Sequence, residues 1–315
     1  MKKIIAVIMA VSMLLALASC GSKPATDEST EPVSESEKVT EESLTAETEE
    51  SSTEAQSKDD AESTDASETE TTGEAETSEA ETEKPALPST TAEILAAYTA
   101  VMNQAKKDAP AFNKVEYQVL PDDSNSRVVS KGGTVVNAAL KVAANFMVTE
   151  KDAKADPEIK EKGNNMRSWP VCKTPMGCML TDTSAIKSAK CEELSNGNYK
   201  ITIVLKDEAN PEPTPDGGTV SPSKHGAVFS PLSKKEIDET LQGGIVSAVA
   251  KEISYNLIYH DCTAVLVYDP SNNHVVSLDQ TMRVTISGQG KVVGIQMVVD
   301  KQELIDYMEI YNIKY

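Results

Sequence analysis

The sequence predicts an α+β domain: a long antiparallel meander, a curved sheet or half-barrel, packed on helices and preceded by a disordered acidic tether. Three observations carry that reading. From Ser254 onward the chain offers long apolar-rich runs separated by turn residues. Ahead of them lie two segments whose apolar residues recur with helical spacing. Before those, Gly21 to Thr90 contains no aromatic side chain at all.

The first residues read as an export signal. Lys2 and Lys3 give a cationic start, Ile4 to Leu17 is an apolar run too short for a comfortable transmembrane span, and small residues follow at Ala18 and Ser19. "LASC", Leu17 to Cys20, resembles the lipobox of bacterial lipoproteins. The resemblance implies that residues 1–19 are removed, that Cys20 becomes an acylated N-terminus, and that the protein is lipid-anchored on the extracytoplasmic face of the cell membrane. Each buried lipid methylene contributes ~0.8 kcal/mol, so two long chains on Cys20 anchor stably.

Residues 20–90 form the expected tether. Of the formal net charge of -20, Gly21 to Thr90 holds 22 acidic residues against four lysines, and Thr91 to Tyr315 is left with -4. The acidity therefore says little about a binding site on the folded part. Glu, Ser, Thr and Ala cannot bury enough apolar area to offset the entropy of ordering the backbone. A flexible coil of this length spans on the order of 45 Å.

Residues 91–315 are long enough for a sizeable core. "TTAEILAAYTAVMNQAKKDAP" places Ile94, Leu95, Tyr98, Val101 and Met102 at helical spacing behind a Thr cap and stops at Pro110. Asn113 to Leu120 has strand composition. "GGTVVNAALKVAANFMVTE" is a second helix, apolar around much of its circumference and expected inside. Lys151 to Thr183 is irregular, with three prolines and the only tryptophan, Trp169. After a turn at Ser195 to Asn198, the residues Tyr199, Ile201, Ile203 and Leu205 line one face of a strand. The Pro-rich insert Asn210 to Gly226 reads equally as a lid or a loop, and "SKKEIDETLQ" and "GIVSAVAKEI" as short helices. The closing meander runs through "SYNLIYHDCTAVLVYD", "HVVSLDQTMRVTIS" and "KVVGIQMVVD", with "PSNN" and "GQG" as turns and "YMEIYNIKY" as a fourth strand. Val276, Leu278, Met282, Val284 and Ile286 are expected largely in phase, as are Val293, Ile295, Met297 and Val299.

Four cysteines follow Cys20: Cys172, Cys178, Cys191 and Cys262. Export permits disulfides, and an even count fits two bridges. Local pairing of Cys172 with Cys178 would leave Cys191 with Cys262, but spacing does not choose among the three connectivities.

Candidate chemistry is sparse. "HDC" puts His260 and Cys262 on the same face of a regular strand, where an imidazole could activate a thiol; an exported cysteine is more often in a bridge. Asp269, Ser271 and Asn273 alternate as in a calcium loop, but His274 stands where the sharp turn needs Gly and Gln280 where a bidentate Glu belongs, which favours a plain hairpin turn. Cysteines with His225 or His260 do not give a zinc spacing. No phosphate loop, nucleophile elbow or basic stripe for nucleic acid is signalled. The expectation is no metal, no cofactor and no nucleic-acid partner.

The segments "GGTVVNAALKVAANFMVTEKDAK", "NYKITIVLKDE" and "YHDCTAVLVYDPSNNHVVSLDQTM" resemble a module of uncharacterised surface lipoproteins of clostridial, Gram-positive bacteria. A leading helix followed by long meandering strands also resembles, by element order alone, carriers that bind lipid or lipoprotein in a half-barrel. The family likeness bears on localisation more than on function, and the leading expectation is a non-enzymatic, lipid-anchored surface module that holds an apolar or amphipathic ligand, or an envelope protein, between sheet and helices. The competing expectations are a structural or adhesive module with a solid core and, third, a thiol-dependent enzyme.

Overall fold

The computed structural model describes residues 84–315 apart from 146, 244–246 and 249. The expected signal sequence, Cys20 and nearly all of the expected tether lie outside the described residues. Four helices and nine strands are described. The helices are α1 (Thr91–Asp108), α2 (Gly133–Ala144), α3 (Glu150–Ala155) and α4 (Lys234–Gln242). The strands are β1 (Ala111–Val119), β2 (Arg127–Lys131), β3 (Glu158–Lys160), β4 (Ile186–Glu193), β5 (Tyr199–Leu205), β6 (Glu208–Ala209), β7 (Ala250–Asp269), β8 (His274–Val292) and β9 (Ile295–Lys314). They form one open sheet in the order β3-β1-β9-β8-β7-β5-β4, with β2 added to β9 and β6 to β7, and every pairing is antiparallel.

Helix α1 starts where its residues dictate. Thr90 accepts the Glu93 backbone N–H, while the Glu93 carboxylate accepts the N–H groups of Thr90 and Ser89 and the Ser89 hydroxyl, a complete capping box. Those donors, the Thr90 backbone N–H foremost, hold the Glu93 carboxyl down at about 2. A carboxylate depressed by folding stabilises above its ordinary range and ceases to do so as the pH falls through its folded value. In an acid titration followed by circular dichroism, stability should therefore decline from about pH 4.5 towards 2, and Glu93→Gln should flatten the decline. An unchanged slope in the variant would remove Glu93 from that account.

One face of α1 carries Ile94, Leu95, Tyr98, Val101 and Met102 into the core, against Ile201, Ile203, Leu266 and Leu278 of the sheet. A second stripe, Thr99, Asn103 and Lys106, holds the irregular segment. Asn103 accepts the N–H groups of Gly177 and Cys178 and donates to the Cys178 carbonyl, and the Thr99 hydroxyl reaches the Cys178 sulfur. Lys106 is buried, and its ammonium lies 2.8–3.0 Å from the carbonyls of Met166, Trp169, Val171 and Thr174. Gly177 is required at this seam, since a Cβ there would sit 2.3 Å from the Met102 carbonyl oxygen. Trp169, fully buried, meets Phe112 edge-on at 5.2 Å. A segment without regular structure is thus fixed by side chains from a helix.

The meander is longer and simpler than its turn residues suggest. "GQG" is not a turn: Gly288, Gln289 and Gly290 lie inside β8, and the hairpin closes at Val293–Gly294. "YMEIYNIKY" is no separate strand; all of it but Tyr315 forms the end of β9, which leaves three strands of 19 or 20 residues. In "GIVSAVAKEI", Ala250 to Ile253 already belong to β7. Bulges reset the phase. An extra residue of β8 at Val276 sends that side chain to solvent and turns Val275 inward, and Val293 and Ile295 are exposed at the hairpin end.

Helix α2 is not sealed inside, because only Val136, Ala139 and Ala143 are buried. The tether boundary also shifts. Lys84 donates to Glu193 and to the Gly197 carbonyl and lies over the Tyr199 ring, and the Tyr199 hydroxyl donates to the Pro85 carbonyl. The chain is therefore attached to the β4–β5 hairpin several residues before α1.

Candidate ligand cavity

A cavity of about 280 Å³ lies between α2, α4 and the halves of β7, β8 and β9 nearest the Val293 turn. Its walls are almost wholly apolar. Helix α2 contributes Ala139, Leu140 and Ala143, α4 contributes Ile237 and Leu241, and the sheet contributes among others Leu257. Three further wall residues, Ile253, Ser254 and Gln289, are solvent-exposed and mark the mouth. The volume equals that of about nine water molecules in the liquid, enough for one acyl-chain segment but not for a whole phospholipid.

Local sequence explains why a space exists there. Gly288 has no side chain because a Cβ would lie 2.9 Å from the Ser254 carbonyl oxygen and 2.9 Å from the Tyr255 Cβ. The bulge around Glu252, at φ 56, lets β7 crowd against β8 at this point. The opposite wall is held by α4. Ser233 caps it by accepting the Glu236 N–H, and Glu212 accepts the Ser233 hydroxyl and the Lys235 N–H. Tyr255 joins sheet to helix, its hydroxyl donating to Asp238 at 2.8 Å while the Lys234 ammonium sits 4.4 Å from the ring centre. Burial, and then the bond to Asp238, push the Tyr255 hydroxyl well above its ordinary range, so it stays a neutral donor. The bond to Lys234 lowers the Asp238 carboxyl.

Buried polar wall residues are turned to protein partners. Gln302 donates to the Pro121 and Glu303 carbonyls and accepts from Arg127 Nε, leaving its apolar stem to the cavity side. No residue of the Pro-rich insert lines the cavity. The insert is a pinned loop, with Thr214 donating to the Gly226 carbonyl, Ser223 to the Glu212 carbonyl, and Arg167 paired with Asp216.

The expected thiol sites are not assembled. Cys172, Cys178, Cys191 and Cys262 are free thiols. Cys191 lies opposite Ile201, which lies opposite Leu266, so Cys262 is two strands away and four residues along. At ~4.8 Å per strand and ~3.3 Å per residue, that is beyond any bridge. The Cys178 sulfur meets the Thr99 hydroxyl, and the Cys172 sulfur lies 3.7 Å from the Ser168 carbonyl oxygen.

His260 and Cys262 do not share a face either. A bulge with Asp261 at φ 47 turns Cys262 into the core, near the carbonyls of His260 and Arg283. His260 faces outward to Glu303, Thr285 and Asp261. Burial pushes the Cys262 thiol up to about 12, the reverse of what a nucleophile needs. Asp269 accepts from Ser271 and Asn272 in a hairpin turn completed by Asn273 at φ 60. His225 is fully buried with Nδ1 on Glu208, and among the described residues no group of three or more His, Cys, Asp or Glu is gathered for a metal.

No known protein family, no curated protein and no solved structure matches this chain. Its site is therefore read from its own geometry.

Proposed function

We propose that this protein is a non-enzymatic binding module that takes the chain of an apolar or amphipathic ligand into the cavity between sheet and helices, with the domain held at the extracytoplasmic membrane face through a lipid on Cys20. The observation that carries the reading is the apolar space itself. An apolar space of 280 Å³ that opens to solvent leaves its walls without the burial and packing contacts of a solid core. A ligand supplies those contacts. The element order, a leading helix followed by a long meander, also resembles that of half-barrel carriers, a likeness of fold alone.

Native mass spectrometry of the full chain bearing Cys20→Ser, so that no N-terminal lipid adds mass, tests the proposal. The expected result is an added mass that solvent extraction removes and envelope lipid restores. A bare protein mass, unchanged after incubation with those lipids, would return the domain to the structural reading.

A further inference from the structure

The end of the β8–β9 hairpin combines three features that a soluble turn lacks. Its two turn residues, Val293 and Gly294, both have positive φ, 48 and 77, a conformation that Asn-Gly or Gly-Gly adopts without strain. A β-branched Val at that φ is a steric outlier. The side chain it retains is not packed: Val293 is 53% exposed, and Ile295 beside it 45%. Ile253, at the cavity mouth two residues from the paired Lys251, adds a third exposed apolar side chain. The turn thus accepts strain to keep an apolar tip in solvent.

The charges around this tip have one sign in excess. Lys251 and Lys291 are directly opposite each other across the β7–β8 ladder, a like-charge pair that destabilises a sheet; Lys251 donates to the Ser247 carbonyl, so one carboxylate, on Lys291, faces the two cations. Lys131, at the end of β2, joins them at the level of Val298. Against these three stands Glu252, which pairs with Lys291 at 2.6 Å; Asp300 lies further along β9 and accepts the Ser130 hydroxyl. The chain from Thr91 onward is acidic overall, at -4, so the basic tip is a local feature. Apolar side chains projecting beyond a collar of lysines match a bilayer whose anionic headgroups lie above its hydrocarbon.

We propose that this hairpin end, Val293 and Ile295 with Lys131, Lys251 and Lys291, is a membrane-docking tip that enters the interface of anionic lipid and brings the cavity mouth at Ile253, Ser254 and Gln289 against the bilayer. It rests on the ligand reading for its purpose but not for its test. Docking there lets an acyl chain pass from bilayer to cavity without crossing water.

The test uses the full chain with Cys20→Ser and an Ile295→Trp reporter, against Val220→Trp as a control at an exposed site in the Pro-rich insert. Vesicles of phosphatidylcholine, with or without phosphatidylglycerol, carry brominated chains. The Ile295→Trp emission should shift to the blue and be quenched on phosphatidylglycerol vesicles, while Val220→Trp remains unchanged. Lys251→Gln and Lys291→Gln should each weaken insertion about fivefold. Val293→Asn, which relaxes the turn, should reduce insertion without lowering the melting temperature. A reporter that stays in water on anionic vesicles, or insertion indifferent to both lysines and to Val293, overturns the proposal. Native mass spectrometry on the same proteins keeps the two claims apart. A loaded cavity with a dry tip defeats docking alone, and an inserted tip with an empty cavity defeats only the ligand reading.

Discussion

Lys106→Met should lower the stability of the folded domain by at least about 2 kcal/mol, equivalent to a fall in melting temperature of roughly 4–8 °C for a domain of this size. The methionine keeps the length and apolar stem of lysine, so the loss isolates the ammonium. Four carbonyls, those of Met166, Trp169, Val171 and Thr174, converge on it with no strand or helix to satisfy them. The Met166 and Val171 carbonyls keep other donors, the Trp169 N–H and the Thr174 hydroxyl, but those of Trp169 and Thr174 lose Lys106, each at a cost of about 1–3 kcal/mol. The damage should be local first: hydrogen exchange should rise across residues 166–178 before it rises in β7–β9. A change of less than about 2 °C would mean that the carbonyls find water instead, and that the segment does not depend on α1.

Ala143→Phe should separate binding from folding. Ala143 is buried on the α2 wall of the cavity, and a phenyl ring added there enters existing space. The ligand-free protein should gain about 1–2 kcal/mol from the filled volume. Uptake of a fluorescent fatty acid should fall more than tenfold, because ring and chain compete for the same 280 Å³. Fluorescence titration and thermal melts on one preparation measure both. Unchanged uptake would move the ligand elsewhere, and a loss of stability would mean that the wall cannot receive the ring.

Periodicity was most informative where one strand face is buried without interruption. Tyr199, Ile201, Ile203 and Leu205 are all inward, as their alternation requires, and α1 begins and ends at its cap and its stop. It failed at bulges, because a single extra residue reverses every later side chain: Val276 faces solvent and Cys262 leaves His260 for this reason. Gly288 and Gly290 resemble turn residues but serve close approach within a strand, a distinction only the neighbouring chain makes visible. The cavity did leave a trace in the sequence. Helix α2 is apolar around most of its circumference, yet it has too little protein about it to bury that surface. Strand β4 was illegible for a different reason: as the sheet edge it carries Lys187, Lys190, Glu192 and Glu193, charges that discourage further pairing and also erase the alternation.

The attachment of Lys84 and Pro85 to the β4–β5 hairpin sets a minimum leash. Tyr199, which holds Pro85, pairs with Tyr268 near one end of β7, whereas the cavity mouth lies at Ile253 near the other. The intervening strand is at most about 50 Å long. A surface anchor must therefore supply at least that much chain before the mouth can face the surface to which the protein is fixed, about fifteen residues at full extension. Residues 21–83 provide 63. If Cys20 is the anchor proposed above, that number exceeds the minimum about fourfold, and the end that is held and the end that meets the bilayer need not be the same.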